Sequence, residues 1–212
     1  MQVIALANEN QKDELLSGGV SDETTVVFIN TADEFWNYEN SDGFVDLLFD
    51  GSAERINLLN NFSHRPVIIN SVVQTLQQLE VPFVRVNAWP GFLGRSTVEV
   101  CGSNAQIIAQ VENIFARFNK KTCWVRDEPG FITARVIAMI INEAWFALEE
   151  KVSTKEEIDA AMKLGTNYPF GPFEWCDKIG AGNICDLLNK LMEARPSYQP
   201  ASLLKKEASK WP

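Results

Sequence analysis

The chain has 212 residues, of which 46% are hydrophobic and 22% charged, and its formal net charge at neutral pH is -9. That apolar content excludes a disordered chain. Basic residues are outnumbered 19 to 28, which argues against a nucleic-acid partner, because a phosphate backbone needs clustered Lys or Arg.

Taken in chain order, VIAL at 3–6, TVVFI at 25–29, FVDLLF at 44–49 and PVIIN at 66–70 read as strands. Their β-branched content without clean alternation favours strands buried on both faces, as in a parallel sheet. SAERINLLNNF at 52–62 and SVVQTLQQL at 71–79 carry apolar residues three and four apart and read as helices. VPFVRVNAW and STVEV read as two more strands, NAQIIAQVENIFARF at 104–118 as a helix and TCWV at 122–125 as a short strand. These elements make an α/β domain over residues 1–125.

RDEPG at 126–130 opens a different regime, a helical domain over 126–212, with Pro129 expected to start a helix. Residues 131–150 are apolar around the whole barrel, which implies a buried or interfacial helix. STKEE at 153–157 is a capping-box start for a helix ended by Gly165. Further helices are expected near 173–179 and 183–193, and the last twenty residues are expected to pack loosely.

No run approaches the roughly 18 apolar residues of a membrane span, and MQVIALANENQ has neither a basic start nor a cleavage site. A cytoplasmic protein without membrane association is expected. Cys101, Cys123, Cys176 and Cys185 have no metal-ligand spacing and lie far from the only histidine, His64. They are expected as buried free thiols, with no bound metal.

Residues 127–180 carry four motifs in register: PGF with Arg135 four residues past Phe131, NEA at 142–144, IDAAMKLG at 158–165, and YPFGPFEWCDKIG at 168–180. This stretch resembles the 3-hydroxyacyl-CoA dehydrogenase family. The resemblance weakens backwards through VEV at 98–100 and is thin before residue 44. It implies a Rossmann-like domain, here truncated, followed by an all-α C-terminal-type domain that closes over acyl-CoA and forms a homodimer. In the family, NAD exchanges a hydride with the substrate, and a histidine oriented by a glutamate acts as the base.

Mapped onto this family, the chain departs at three places. The first strand is followed by ANENQKDE rather than a glycine-rich turn, with Glu9, Asp13 and Glu14 placed to repel a diphosphate. The cofactor therefore stays open, NAD being the family's and its motif missing here. Asn87 stands at the position of the family's histidine and Glu99 at that of its glutamate, twelve residues on. An amide has no useful pKa for taking a hydroxyl proton. Pro90 and Ala134 replace two asparagines, the second of which would contact substrate. Asn70 and Ser71 match the start of the family's NTS near the substrate oxygen. Asn70 could donate to a thioester oxygen or simply cap the helix at 71–79.

The candidate site set is therefore Glu99 and Asn87 for chemistry, and Asn70, Ser71 and Ala134 for substrate. Glu99 is read as a possible base if buried, or as a strand carboxylate paired with Arg85 or Arg95. His64 is read as a solvent-facing turn residue. Three functions compete: an active dehydrogenase by an unusual site, a non-catalytic acyl-CoA binder, and a structural or partner-binding homodimer.

Overall fold

The computed structural model describes residues 1–102 and 104–210, and the chain divides into two compact units, Met1–Phe131 and Ile132–Pro212. The first is a Rossmann-like α/β unit and the second is all helical.

Seven strands form one sheet: β1 (Gln2–Leu6), β2 (Thr25–Ile29), β3 (Gly43–Asp46), β4 (Val67–Asn70), β5 (Val84–Val86), β6 (Thr97–Cys101) and β7 (Lys121–Trp124). Their order is β2-β1-β3-β4-β5-β6-β7, and every neighbouring pair is parallel except β5 with β6. β1 and β3 are neighbours whose outgoing connections run to opposite sides of the sheet, from β1 to β2 and from β3 to β4. The crevice outside their carboxyl ends is thus the topological switch point at which open α/β sheets bind ligands.

As the β-branched runs imply, the central strands are buried on both faces. Val3, Ala5, Val45, Ile68, Val84, Val86, Val98 and Val100 pack on one side with Val111, Ile114 and Phe115 of α4 (Ala105–Arg117) and Leu15 of α1 (Glu9–Leu16). Phe44 packs with Phe35 and Phe62, at ring centroid separations of 5.8 and 4.6 Å. Side chains from both faces of one strand therefore enter apolar surroundings, which removes the alternation expected of a half-wet strand.

Several boundaries differ from the sequence reading, each for a local reason. α1 follows β1 directly and is not foreseen above. Asn8 accepts from the Gln11 amide at 2.9 Å while the Gln11 side chain accepts from the Asn8 amide at 3.1 Å. A 3₁₀ helix over Ala32–Tyr38 is also unforeseen. The third strand stops at Asp46, because the Asp46 carboxylate accepts from the Leu48 amide and turns the chain out of the sheet. The helix expected at 52–62 is α2 (Ala53–Asn60). That expected at 71–79 shrinks to α3 (Leu76–Leu79): Thr75, not Asn70, caps it, and Glu80 ends it in the left-handed region at φ 54°.

The helical unit contains α5 (Thr133–Glu149), α6 (Lys155–Thr166), α7 (Pro172–Ile179), α8 (Ala181–Met192) and α9 (Ser202–Ala208). Pro129 does not start α5. Gly130 and Phe131 follow it at φ 83° and 49°, so the backbone cannot turn helical until after them. α6 runs through Gly165 and ends at Asn167, whose φ of 56° makes it the left-handed cap.

The expectation that the last twenty residues pack loosely is wrong for 199–208. Buried Asn142 donates to the Gln199 carbonyl at 2.9 Å and accepts from the Ala201 amide at 2.8 Å, and Leu204 is fully buried. Pro and Lys content hides this, because the holding groups lie on α5. Among the described residues no helix is long and apolar enough to cross a membrane, and no cluster of three His, Cys, Asp or Glu could hold a metal ion.

Candidate functional site

The carboxyl edge of the sheet carries a transverse chain of hydrogen bonds. Gln11 Nε2 on α1 donates to the Leu47 carbonyl at 2.9 Å, just past β3. The same carbonyl accepts from Asn70 Nδ2 at the end of β4, at 3.2 Å. Asn70 Oδ1 accepts from the Ala88 amide at 3.1 Å, past β5. Beside Ala88, Asn87 Nδ2 donates to Glu99 Oε2 on β6 at 3.1 Å, and the Asn87 amide N–H donates to the Glu99 carbonyl at 3.1 Å.

Four sequence-chosen residues thus come together in one neighbourhood. Asn70 spends both ends of its amide on backbone, joining three strand ends. Ser71 Oγ donates to the Gln74 carbonyl at 2.9 Å and shapes the turn before α3. Asn87 and Glu99 are both buried and face each other. Ala134 is fully buried on α5 in the helical unit. His64 is exposed in the turn before β4, as expected.

The Asn87–Glu99 contact sets what the centre can do. A carboxylate beside an imidazole fixes its tautomer and stabilises its cation, which makes a general base. A carboxylate beside a carboxamide accepts one N–H and fixes the amide's orientation; Asn87 Oδ1 then points towards the Trp89 amide, 3.4 Å away. The amide moves no proton near neutrality.

Arg85 serves a different partner from the one suggested by sequence. Its guanidinium is fully buried and donates to Asp127 at 2.5 Å, to the Ser71 carbonyl at 2.7 Å and to the Val72 carbonyl at 3.1 Å, with the Phe131 ring 4.7 Å away. Asp127 in turn accepts from the Leu76 and Gln77 amides, each at 3.0 Å. Burial alone would raise the Asp127 pKa, but those two amides and Arg85 hold it below the ordinary carboxylate value. Arg95 donates to the Gly91 carbonyl and stacks on Phe92.

A dinucleotide does not fit the switch-point crevice. The pyrophosphate needs glycines through which backbone can approach it and free donors at the first turn of the following helix. Here no glycine lies between β1 and α1, Asn8 already occupies the Gln11 amide, and Glu9 puts a carboxylate in the first turn. Gln11 spans from α1 to the end of β3, across the mouth of the crevice.

Glu14 does not face the crevice, contrary to expectation. It accepts from the Gly91 and Gly94 amides at 2.6 and 3.0 Å, pinning the loop after Asn87. The spacing Asn8–Gln11 is a readable capping signal, whereas the 77-residue separation of Glu14 from Gly91 leaves no local trace in sequence.

Asp46 is another group missed from sequence. It is fully buried at the end of β3, and burial raises its pKa to about 6 even though Arg55 lies 2.8 Å away. A cleft of about 640 Å³ in the same unit is lined by Leu76, Glu80, Cys101, Arg126 and Asp127 among others. Burial pushes the Cys101 thiol in its wall up to about 12, which disfavours the reactive thiolate. All four cysteines are free; Cys101, Cys176 and Cys185 are buried as expected, whereas Cys123 is only half-buried.

Residues 130–210 match the family model described as 3-hydroxyacyl-CoA dehydrogenase, C-terminal domain. The helical unit belongs to that family. Over 91 residues the chain is 42% identical to 3-hydroxyadipyl-CoA dehydrogenase of Escherichia coli (strain K12), a match covering 42% of this chain and 19% of that protein. Over 93 residues it is 41% identical to 3-hydroxybutyryl-CoA dehydrogenase of Bradyrhizobium diazoefficiens, covering 43% and 32% respectively. These matches thus span under a third of each relative's length. The crystal structure of (S)-3-hydroxybutyryl-CoA dehydrogenase PaaH1 from Ralstonia eutropha superposes with a TM-score of 0.78 at 19% identity, covering 99% of this chain and 93% of that one. That likeness extends the shared fold through the α/β unit.

Proposed function

We propose that this chain is a non-catalytic member of the 3-hydroxyacyl-CoA dehydrogenase family that keeps an acyl-CoA-type site and has given up hydride transfer. The observation that carries this reading is Asn87, a buried amide 3.1 Å from Glu99 where the family has its base. The bridged crevice at the end of β1 and β3 supports it independently, since a hydride donor has no seat there. An active dehydrogenase by an unusual route would have to replace both the base and the nicotinamide site.

The ligand class follows from the relatives, whose names specify CoA thioesters. Asn70 and Ser71 are the residues of the α/β unit assigned to it. A cytoplasmic homodimer built through the helical unit completes the reading. Val136 and Leu164 remain 50% and 89% exposed, and a nearly all-apolar groove of about 260 Å³ runs between Ile140, Ala144, Ile158 and Met162. That apolar surface also favours a second reading, in which the chain is a structural homodimer without a ligand.

Thermal unfolding with excess acetoacetyl-CoA, run beside an assay for loss of nicotinamide absorbance, separates the readings. A ligand bound only by the folded chain raises the transition temperature. Stabilisation without turnover is expected. Turnover above background overturns the non-catalytic reading, and neither effect leaves the structural one.

A further inference from the structure

The cleft of about 640 Å³ in the α/β unit lies apart from the centre built on Asn70 and Asn87. Those two residues stand at the carboxyl ends of β4 and β5, whereas the cleft opens at the other end of β5, where Val81 and Pro82 lead into Val84. β6 runs antiparallel to β5, so its last residue, Cys101, arrives at this end opposite Arg85. The volume falls within the roughly 300–1,000 Å³ of small-ligand sites.

Buried Arg85 and Asp127 hold the walls in place. Arg85 takes the Ser71 and Val72 carbonyls and Asp127, while Asp127 takes the Leu76 and Gln77 amides and the Cys101 thiol. A buried ion pair returns little net stability for its desolvation. Its effect here is shape: α3, the end of β6 and the chain after β7 are fixed around one cavity, and such preorganisation lowers the cost of binding.

The floor and the rim differ in chemistry. Leu76 and Val81 are buried and make an apolar floor. Glu80 and Arg126 are exposed at the rim. They do not pair with each other, and among the described residues neither side chain has an ion pair or a hydrogen bond. Arg85 already answers the Asp127 charge, so one cation and one anion are left to face a ligand. Glu80 sits there at a cost. Its φ of 54° lies in the left-handed region, where glycine or asparagine usually ends a helix, and other residues held in that region recur at functional sites.

We propose that this cleft binds a free α-amino acid with a large apolar side chain, its carboxylate on Arg126, its ammonium on Glu80 and its side chain over Leu76 and Val81. An apolar carboxylate would leave Glu80 facing the ligand without a counter-charge, and an apolar amine would do the same to Arg126. A zwitterion answers both, so no charge is desolvated unpaired.

A proton–nitrogen NMR titration with L-phenylalanine locates and ranks the binding. Millimolar ligand should shift the Val81, Gly102 and Val125 amides and leave Ala88, at the other end of β5, unmoved. Hydrocinnamate and phenethylamine each lack one charge and should bind at least tenfold more weakly, the size expected for a lost charge-assisted hydrogen bond. Arg126→Gln should weaken L-phenylalanine at least tenfold while sparing or strengthening phenethylamine. Glu80→Gln should weaken it likewise while sparing or strengthening hydrocinnamate. A rim that only supports the fold would not invert the preference in this way. The proposal is overturned by absence of shifts at millimolar L-phenylalanine, by hydrocinnamate or phenethylamine binding as tightly, or by Arg126→Gln binding L-phenylalanine like the unaltered chain.

Discussion

Replacing Asn87 with histidine would put an imidazole against the Glu99 carboxylate, which now lies 3.1 Å from the amide. An opposite charge at that range favours the protonated ring, so its pKa should lie above the ordinary value of about 6.5. A proton NMR titration of the new ring checks this against exposed His64. The same variant should still show no NADH-dependent reduction of acetoacetyl-CoA, because the crevice at Gln11 stays closed. Activity in Asn87→His alone would mean that the amide is the sole obstacle.

Asp46 makes a prediction about pH. Its carboxyl ionises near 3.8 in the unfolded chain and near 6 in the folded one, because burial outweighs the attraction of Arg55. As pH rises, the unfolded state therefore loses this proton first. The stability Asp46 contributes is full below pH 3.8 and is lost as pH climbs through about 6, a change of about 3 kcal/mol at 1.36 kcal/mol per pKa unit. Asp46→Asn should flatten the pH dependence of urea unfolding between about pH 4 and about pH 7. An unaltered slope would mean that the group does not titrate there.

At the scale of elements, the joints are specific enough to break singly. A Cβ on Gly171 would meet the Asp159 carboxyl at 2.3 Å, while that carboxylate caps α7 through the Phe173 and Glu174 amides at 2.8 and 3.2 Å. Gly171→Ala should cost about 1–3 kcal/mol, the range for overpacking, and raise hydrogen exchange at the start of α7. Arg85→Met should cost about 3–5 kcal/mol, because it strands a charge-paired carboxylate and two buried carbonyls. Arg85→Lys should recover little of that, since an ammonium lacks the planar fork that reaches all three acceptors. Chemical denaturation of both variants measures the difference.

These joints also mark where sequence is legible. Strands β1, β2 and β4, α4 and the box at Thr154 with Glu157 are written in local patterns and fall where those patterns put them. The helix expected from Pro129, the stop at Gly165 and the loose tail fail for a common reason. Each is decided by a conformation or partner outside the local pattern: the left-handed pair Gly130–Phe131, the left-handed Asn167, and Asn142 reaching 59 residues along the chain to Ala201. Among site residues, Asn87 and Glu99 are legible through the family motif and do meet. The Gln11–Leu47 bond and the Glu14 bonds to Gly91 and Gly94 are not, because those partners lie 36 residues or more away in sequence, and the burial of Asp46 depends on the sheet around it.

For the whole molecule, the two units carry unequal histories. The helical unit matches the family model over residues 130–210, while the α/β unit shares its fold with the solved dehydrogenase structure. Asn8 and Gln11 tie the turn after β1 to itself and to the end of β3 with hydrogen bonds that stabilise this end of the sheet. The non-catalytic reading proposed above is thus compatible with retention of the fold. Sheet order lies outside what local patterns report, because it depends on where each crossover returns.

The most direct measurement is a calorimetric titration of the folded chain with acetoacetyl-CoA, with and without NADH, at more than one temperature. Binding of the thioester with the same affinity in both conditions is the expected result. Binding strengthened by NADH would contradict it, because a nicotinamide would then have a seat in the crevice that Gln11 bridges.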